Sequence, residues 1–136
     1  MVNLPEDVMA ELNNPKSSRV LGTTSSEGVV HLIQVGSLVA PSPNMIAFGA
    51  ILMKVTNKNL EGMMKKKGIV SILVTNGMKS YEVKAKVKDY QTSGPVFEKL
   101  SEELKKMGLT VRGAWILEPV EVWNQSATYD AGKKIA

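Results

Sequence analysis

Apolar and polar residues change their period several times along the chain, and each change marks an element. Leu4, Val8, Met9 and Leu12 recur at helical spacing across Pro5–Leu12, which predicts a short amphipathic helix ended by Pro15. Arg19–Thr24 and Val29–Val35 read as strands, joined by Ser25-Ser26-Glu27-Gly28, a hairpin connection with glycine at its end. Gly36-Ser37 and then Pro41 and Pro43 predict a loop. Met45–Met53 is apolar apart from the small residues Gly49 and Ala50, and suits a strand near the core. From Asn57 the pattern turns helical, with Leu60, Met63 and Met64 on one side. Three lysines then complement the negative end of the helix dipole, and Gly68 is the expected stop. Thr56 or Asn57 is the expected N-cap, since either side chain can accept a bond from a free first-turn N–H.

Ile69–Thr75 is a β-branched run, followed by the tight-turn pair Asn76-Gly77. The partner strand alternates Tyr81, Val83, Ala85 and Val87 with Glu82, Lys84, Lys86 and Lys88, an inner and an outer face. Ser93-Gly94-Pro95 opens a third helix, in which Phe97, Leu100, Leu104 and Met107 hold helical spacing before Gly108. A last strand runs from Thr110 to Trp123, and Pro119 within it argues for an edge, a bend or a bulge. The polar tail, Asn124 to Ala136, is expected to reach over a neighbour or into solvent. Six strands joined mainly by hairpins must pair mostly antiparallel, and a closed or partly closed barrel would remove their edges.

With 136 residues, 43% of them hydrophobic, the chain suits one globular domain. No apolar run reaches the ~18 residues of a membrane span and no signal peptide opens the chain, so the cytoplasm is the expected location. Cysteine is absent, which excludes disulfides and thiolate chemistry. His31 is the single histidine, so multi-histidine metal sites are excluded and no metal is expected. The net charge of +4 is modest, and only Arg19 and Arg112 are arginines. An anionic small ligand suits this balance better than nucleic acid, which calls for clustered arginine and interleaved aromatics.

The charges around the second helix start change the picture. Lys54 precedes the expected cap, Lys58 lies in the first turn, and no acid appears before Glu61. A helix N-terminus is positive, so lysines there are locally unfavourable unless an anion occupies the end. Free N–H groups, a hydroxyl and ammonium groups together describe a phosphate site. The chain has no P-loop, no dinucleotide GxGxxG and no nucleophile elbow.

The order of these elements resembles the pyridoxamine 5'-phosphate oxidase-related, FMN-binding split-barrel family, and the small FMN-binding proteins within it. The resemblance runs from Leu4 to Trp123. It rests on His31-Leu32-Ile33-Gln34, Ile46-Ala47-Phe48-Gly49, the junction Met53-Lys54-Val55-Thr56-Asn57-Lys58-Asn59-Leu60, Tyr81-Glu82-Val83-Lys84, and Ser93-Gly94-Pro95. It implies an α+β fold: a six-stranded antiparallel split β-barrel, Greek-key-like, with about three helices, residues 1–136 forming a single domain. It also implies FMN at a homodimer interface. Gln34, Val35, Gly36 and Ser37 would line the isoalloxazine, and Phe48, Gly49 and Ala50 would pass beneath the ring and ribityl chain. Lys54, Thr56, Asn57 and Lys58 would hold the phosphate, and Arg112 and Trp115 would come from the other subunit. Val55 separates Lys54 from Thr56 where the small FMN-binding proteins place lysine next to threonine, and Ala85 stands where glycine is often found. Two arginines do not supply the set with which the oxidase proper holds its substrate's phosphate. The expected activity is therefore that of an FMN-dependent oxidoreductase or electron carrier with a small-molecule or protein redox partner. The alternatives are another planar cofactor, F420 or haem, in the same barrel, and a non-enzymatic flavin-binding protein. A chain without an acid–base constellation suits flavin chemistry, since the cofactor supplies the redox step.

Overall fold

Period-2 burial along the strands curls one antiparallel sheet around an apolar interior. The computed structural model describes residues 2–136. In chain order the elements are α1 (Glu6–Leu12), β1 (Ser18–Thr24), β2 (Val30–Gln34), β3 (Val39–Ser42), β4 (Met45–Gly49) and α2 (Lys54–Lys66). They are followed by β5 (Ile69–Asn76), β6 (Lys79–Gln91), α3 (Pro95–Lys105), β7 (Ala114–Asn124) and β8 (Lys133–Lys134). The strand order is β2-β1-β5-β6-β7-β4-β3, with β8 paired to β7 beyond the reach of β4.

Leu21, Ile72, Val74, Val83, Leu117, Ile46 and Phe48 are all fully buried on the inner face. Each such side chain contributes roughly 1.5–3 kcal/mol of burial. The apolar stripe of α1, Leu4, Val8 and Leu12, joins this core, as do Leu60 and Met63 of α2. α3 lies on the opposite face of β4 and β7, where Leu100 meets Ala47, Ala114 and Ile116. Three helices and a mainly antiparallel α+β architecture therefore match the expectation from sequence.

Several boundaries differ from it, each for a physical reason. The sheet has eight strands, not six. β3 was hidden by Pro41, which a sheet edge tolerates because no ladder bond is lost there. β8 is a polar pair of residues with no pattern to read. The tail does not reach away: Ile135 donates to the Val122 carbonyl, Val122 donates to that of Ala136, and buried Ser126 exchanges bonds with the Ser80 backbone. The central strand stops at Gly49, and α2 begins at Lys54 rather than Asn57. Neither Thr56 nor Asn57 caps that helix; Met53 occupies the cap position without a side-chain bond. Its other end closes on Lys67 in the left-handed conformation, while Gly68 follows because a Cβ there would crowd Met63 at 3.3 Å. Pro119 marks a bulge: Lys84 faces Glu121 and Ala85 faces Pro119, leaving Val120 unpaired.

Tyr81 joins β6 to α1 by donating to Asp7 across 3.3 Å. Burial pushes its phenol pKa above the ordinary value of 10.0, and the Asp7 carboxylate adds to the rise. The fold thus favours the protonated phenol. This contribution to stability is complete below pH ~10 and is lost as pH rises through the higher folded value. Urea midpoints measured from about pH 9 to 11.5 should fall more steeply for wild type than for Tyr81→Phe; parallel curves would refute the linkage.

Candidate functional site

Hydrogen bonds between loop ends, rather than any single strand, assemble the residues singled out from sequence. The turn after β2 is tied to the end of β4, because the Gly49 N–H donates to Ser37 Oγ at 3.0 Å. The next residue, Ala50, donates to the Gly113 carbonyl at 2.9 Å, which sets exposed Arg112 beside this junction. Trp115 Nε1 donates to Asn57 Oδ1 at 2.9 Å and so links β7 to the first turns of α2. Gly36, Ser37, Gly49, Ala50, Arg112, Trp115 and Asn57 are therefore joined through a few contacts.

The turn carrying Gly36 and Ser37 is held from behind. Arg19 is buried, and its Nη1 donates at 3.1 Å to the carbonyls of both Leu12 and Leu38. Burial lowers its pKa from the ordinary value. Asn13 adds a reciprocal pair with the Ala40 backbone at 3.0 and 2.7 Å. Val35 donates its N–H to the Arg19 carbonyl and is itself buried. A groove of about 610 Å³ opens beside Gly36 and Ser37 between β3 and α3, with Pro41, Val96, Leu100 and Leu104 among its walls.

Other residues from the sequence reading are placed differently. Phe48 is fully buried inside the barrel, so its side chain packs the core. Gly49 is explained by packing, since a Cβ there would stand 2.9 Å from Leu104. Gln34 lies on the exposed outer sheet face and bonds Ser18. Trp115 is 1% exposed within the chain and stacks tilted on Tyr90 with ring centroids 4.6 Å apart. Gly113 is needed because any Cβ would run into that Tyr90 ring. Trp123 is half-buried on the outer face, where its indole bonds Glu121 and Lys84 lies over the ring. Sequence periodicity did not reveal the Tyr90–Trp115 stack, because a bulge in β6 near Lys88 shifts the register that sets it up.

At the start of α2 the N–H groups of Lys54, Val55 and Thr56 find no acceptor among the described residues; the first bond is Asn57 N–H to the Met53 carbonyl at 2.8 Å. Thr56 is 1% exposed, and its Oγ1 has no partner. Lys54 and Lys58 are exposed and form no ion pair among the described residues. A second hollow, of about 570 Å³, lies between α2 and the β1–β2 hairpin, with Val55, Lys58 and Asn59 in its wall. The free N–H groups of such an end can bind an anion, with the exposed Lys54 ammonium next to them and Lys58 one turn further along the same face of α2. No group of three or more His, Asp or Glu side chains able to hold a metal occurs among the described residues. None of their helices is long and apolar enough to cross a membrane.

No family model matches the sequence, and no curated protein is significantly similar to it. Solved structures share its fold. An FMN-binding protein from Syntrophomonas wolfei is similar over 88% of this chain and 83% of its own, with TM-score 0.70 and 15% identity. An F420 reductase is similar over 88% of this chain and 98% of its own, with TM-score 0.65 and 14% identity. A haem-binding protein from Mycobacterium smegmatis is similar over 94% of this chain and 55% of its own, with TM-score 0.58 and 14% identity. The chain has the split-barrel fold of the pyridoxamine 5'-phosphate oxidase-like proteins.

Proposed function

We propose that the protein binds FMN, with the phosphate at the start of α2, and serves as a flavin-dependent oxidoreductase or electron carrier. The observation that carries this reading is Thr56 Oγ1, a hydroxyl buried without a partner in a helix turn whose own N–H groups are free. An unsatisfied buried polar group costs about 1–3 kcal/mol, and a phosphate oxygen at the helix end would relieve that cost. Lys54 and Lys58 would neutralise the charge, while Gly36, Ser37 and Ala50 would border the ring. Bound flavin supplies the electron-transfer chemistry, so the protein's tasks are to hold, orient and shield it. F420 and haem, named for two of the structural neighbours, are the competing ligands. Haem is the weaker reading, because His31 is the only histidine and lies on β2, paired with Thr23.

The reading is tested by Thr56→Val and Lys54→Met, with FMN and riboflavin titrated in parallel by flavin fluorescence. Lys54→Met should weaken FMN binding by about 1.5–3 kcal/mol, roughly ten- to a hundredfold, and leave riboflavin unchanged. Thr56→Val should also favour riboflavin over FMN, while raising apoprotein stability by about 1 kcal/mol, because an orphan hydroxyl is removed. Equal losses for both ligands would mean a general structural effect, and no loss for either would place the phosphate elsewhere. A Soret band or an F420 spectrum from ligand released by the purified protein would replace FMN.

The same reading includes a homodimer, supported by the outer face of the sheet. Val30, Leu32 and Leu73 are 66%, 63% and 40% exposed. Register aligns Leu32 with Gly22 and Leu73 with Val20, so they form one apolar face across β2, β1 and β5. Contiguous exposed apolar surface of this kind marks an interaction site. Sedimentation at micromolar concentration should give a dimer for wild type and a monomer for Leu32→Glu. A monomeric wild type would exclude a cofactor shared between subunits.

A further inference from the structure

Between β4 and α2 runs the turn Ala50-Ile51-Leu52-Met53. Ala50 and Met53 are buried and Ile51 is half-buried, but Leu52 is 94% exposed. Its φ is 50°, in the left-handed region where a Cβ crowds the backbone. The other non-glycine residue with positive φ among the described residues is Lys67, which terminates α2, an ordinary use of that conformation. Leu52 ends no helix. Next to it, Met53 fills a cap position where an oxygen-bearing side chain is favoured. Val55, 53% exposed, continues the apolar surface beyond Lys54. Backbone strain, an exposed large apolar side chain and an uncapped helix thus coincide in two adjacent residues. Local conflicts that accumulate at one point mark function more often than folding.

The turn also has a defined position. Ala50 stands beside Gly49 and Ser37, and Lys54 opens the anion-binding helix end. With about 3.8 Å between consecutive Cα atoms, Ala50 and Lys54 lie at most ~15 Å apart. A ligand with its phosphate at Lys54 and its ring near Ala50 must run along this turn, whose most exposed side chain is Leu52. We infer that Leu52 lies over the ring of the bound flavin and shields it from water. This inference rests on the flavin reading above. The contact offsets both local costs, since the leucine leaves water and the strained backbone is what aims it. Leu52 is a binding residue that acts on the ring, as Lys54 acts on the phosphate.

Leu52→Gly removes the side chain and relieves the backbone, because glycine accepts positive φ freely. Its apoprotein should melt at the same temperature as wild type or higher. FMN and riboflavin should both bind about five- to thirtyfold more weakly, as expected for losing part of a leucine's burial. Iodide should quench the bound flavin more strongly. Leu52→Met, which keeps apolar volume, should stay within about twofold of wild type. Unchanged affinity and quenching in Leu52→Gly would overturn the inference while leaving the phosphate site standing. Conversion of the wild-type dimer to a monomer by Leu52→Gly would place the side chain between subunits and also overturn it. A wild-type protein that takes neither flavin would overturn this inference together with the functional reading.

Discussion

An indole N–H buried inside a barrel must find an acceptor, and Trp115 finds it in Asn57. Much of the candidate site depends on that one bond. Trp115 sits on β7 between Phe48 of β4 and Tyr90 of β6, so its ring is fixed by strand register on both sides. Its nitrogen then fixes where the first turns of α2 must lie. Asn57 thus lies inside the helix, with its oxygen turned to the indole and no longer at the cap position. The helix begins a turn earlier, on Met53, and its first N–H groups remain without acceptors.

Strands with clean alternation were legible in the sequence, and so was the amphipathic stripe of α1. Tyr81, Val83, Ala85 and Val87 are buried as their period requires, and the Asn76-Gly77 turn joins the strands on either side. The split-barrel resemblance carried the fold class beyond what period alone gives. What stayed hidden was set by tertiary context. β3 carries a proline that an interior strand would reject, and β8 is two lysines held by backbone pairing to β7 and by ion pairs to Glu121 and Asp130. At the start of α2, cap rules favoured Thr56 or Asn57 because both have suitable oxygens. Tertiary demand from Trp115 took one, and burial took the other.

The site resemblance divides along the same line. Val35, Phe48 and Gly49 match the pattern, yet the barrel accounts for each by itself: Val35 and Phe48 are core, and Gly49 makes room for Leu104. Gly36 differs, because a Cβ there would meet nothing within 4 Å. Arg19 was unassigned from sequence beyond its count. Its buried guanidinium joins the end of α1 to the turn after β2, and this keeps the Gly36–Ser37 turn in place. Hydrogen bonds to charged groups are among the stronger stabilising contacts, about 1.5–3 kcal/mol each, so a loop built this way can be rigid without regular structure.

A fold shared with an FMN-binding protein, an F420 reductase and a haem-binding protein does not choose among ligands. The choice must come from residues that folding alone leaves unexplained. Core packing explains the barrel interior, and ion pairs from Lys84, Lys88 and Lys134 to Glu121 and Glu118 explain much of the charged outer face. Those explanations stop between Leu52 and Lys58. There the helix end has free donors, a buried hydroxyl has no partner, two lysines sit at the positive end of a dipole, and a leucine is exposed on a strained backbone. Each is unfavourable in the protein alone. The ligand proposed above, with an anionic end and a flat apolar end, would relieve them together, as neither a bare phosphate nor an apolar ring alone would.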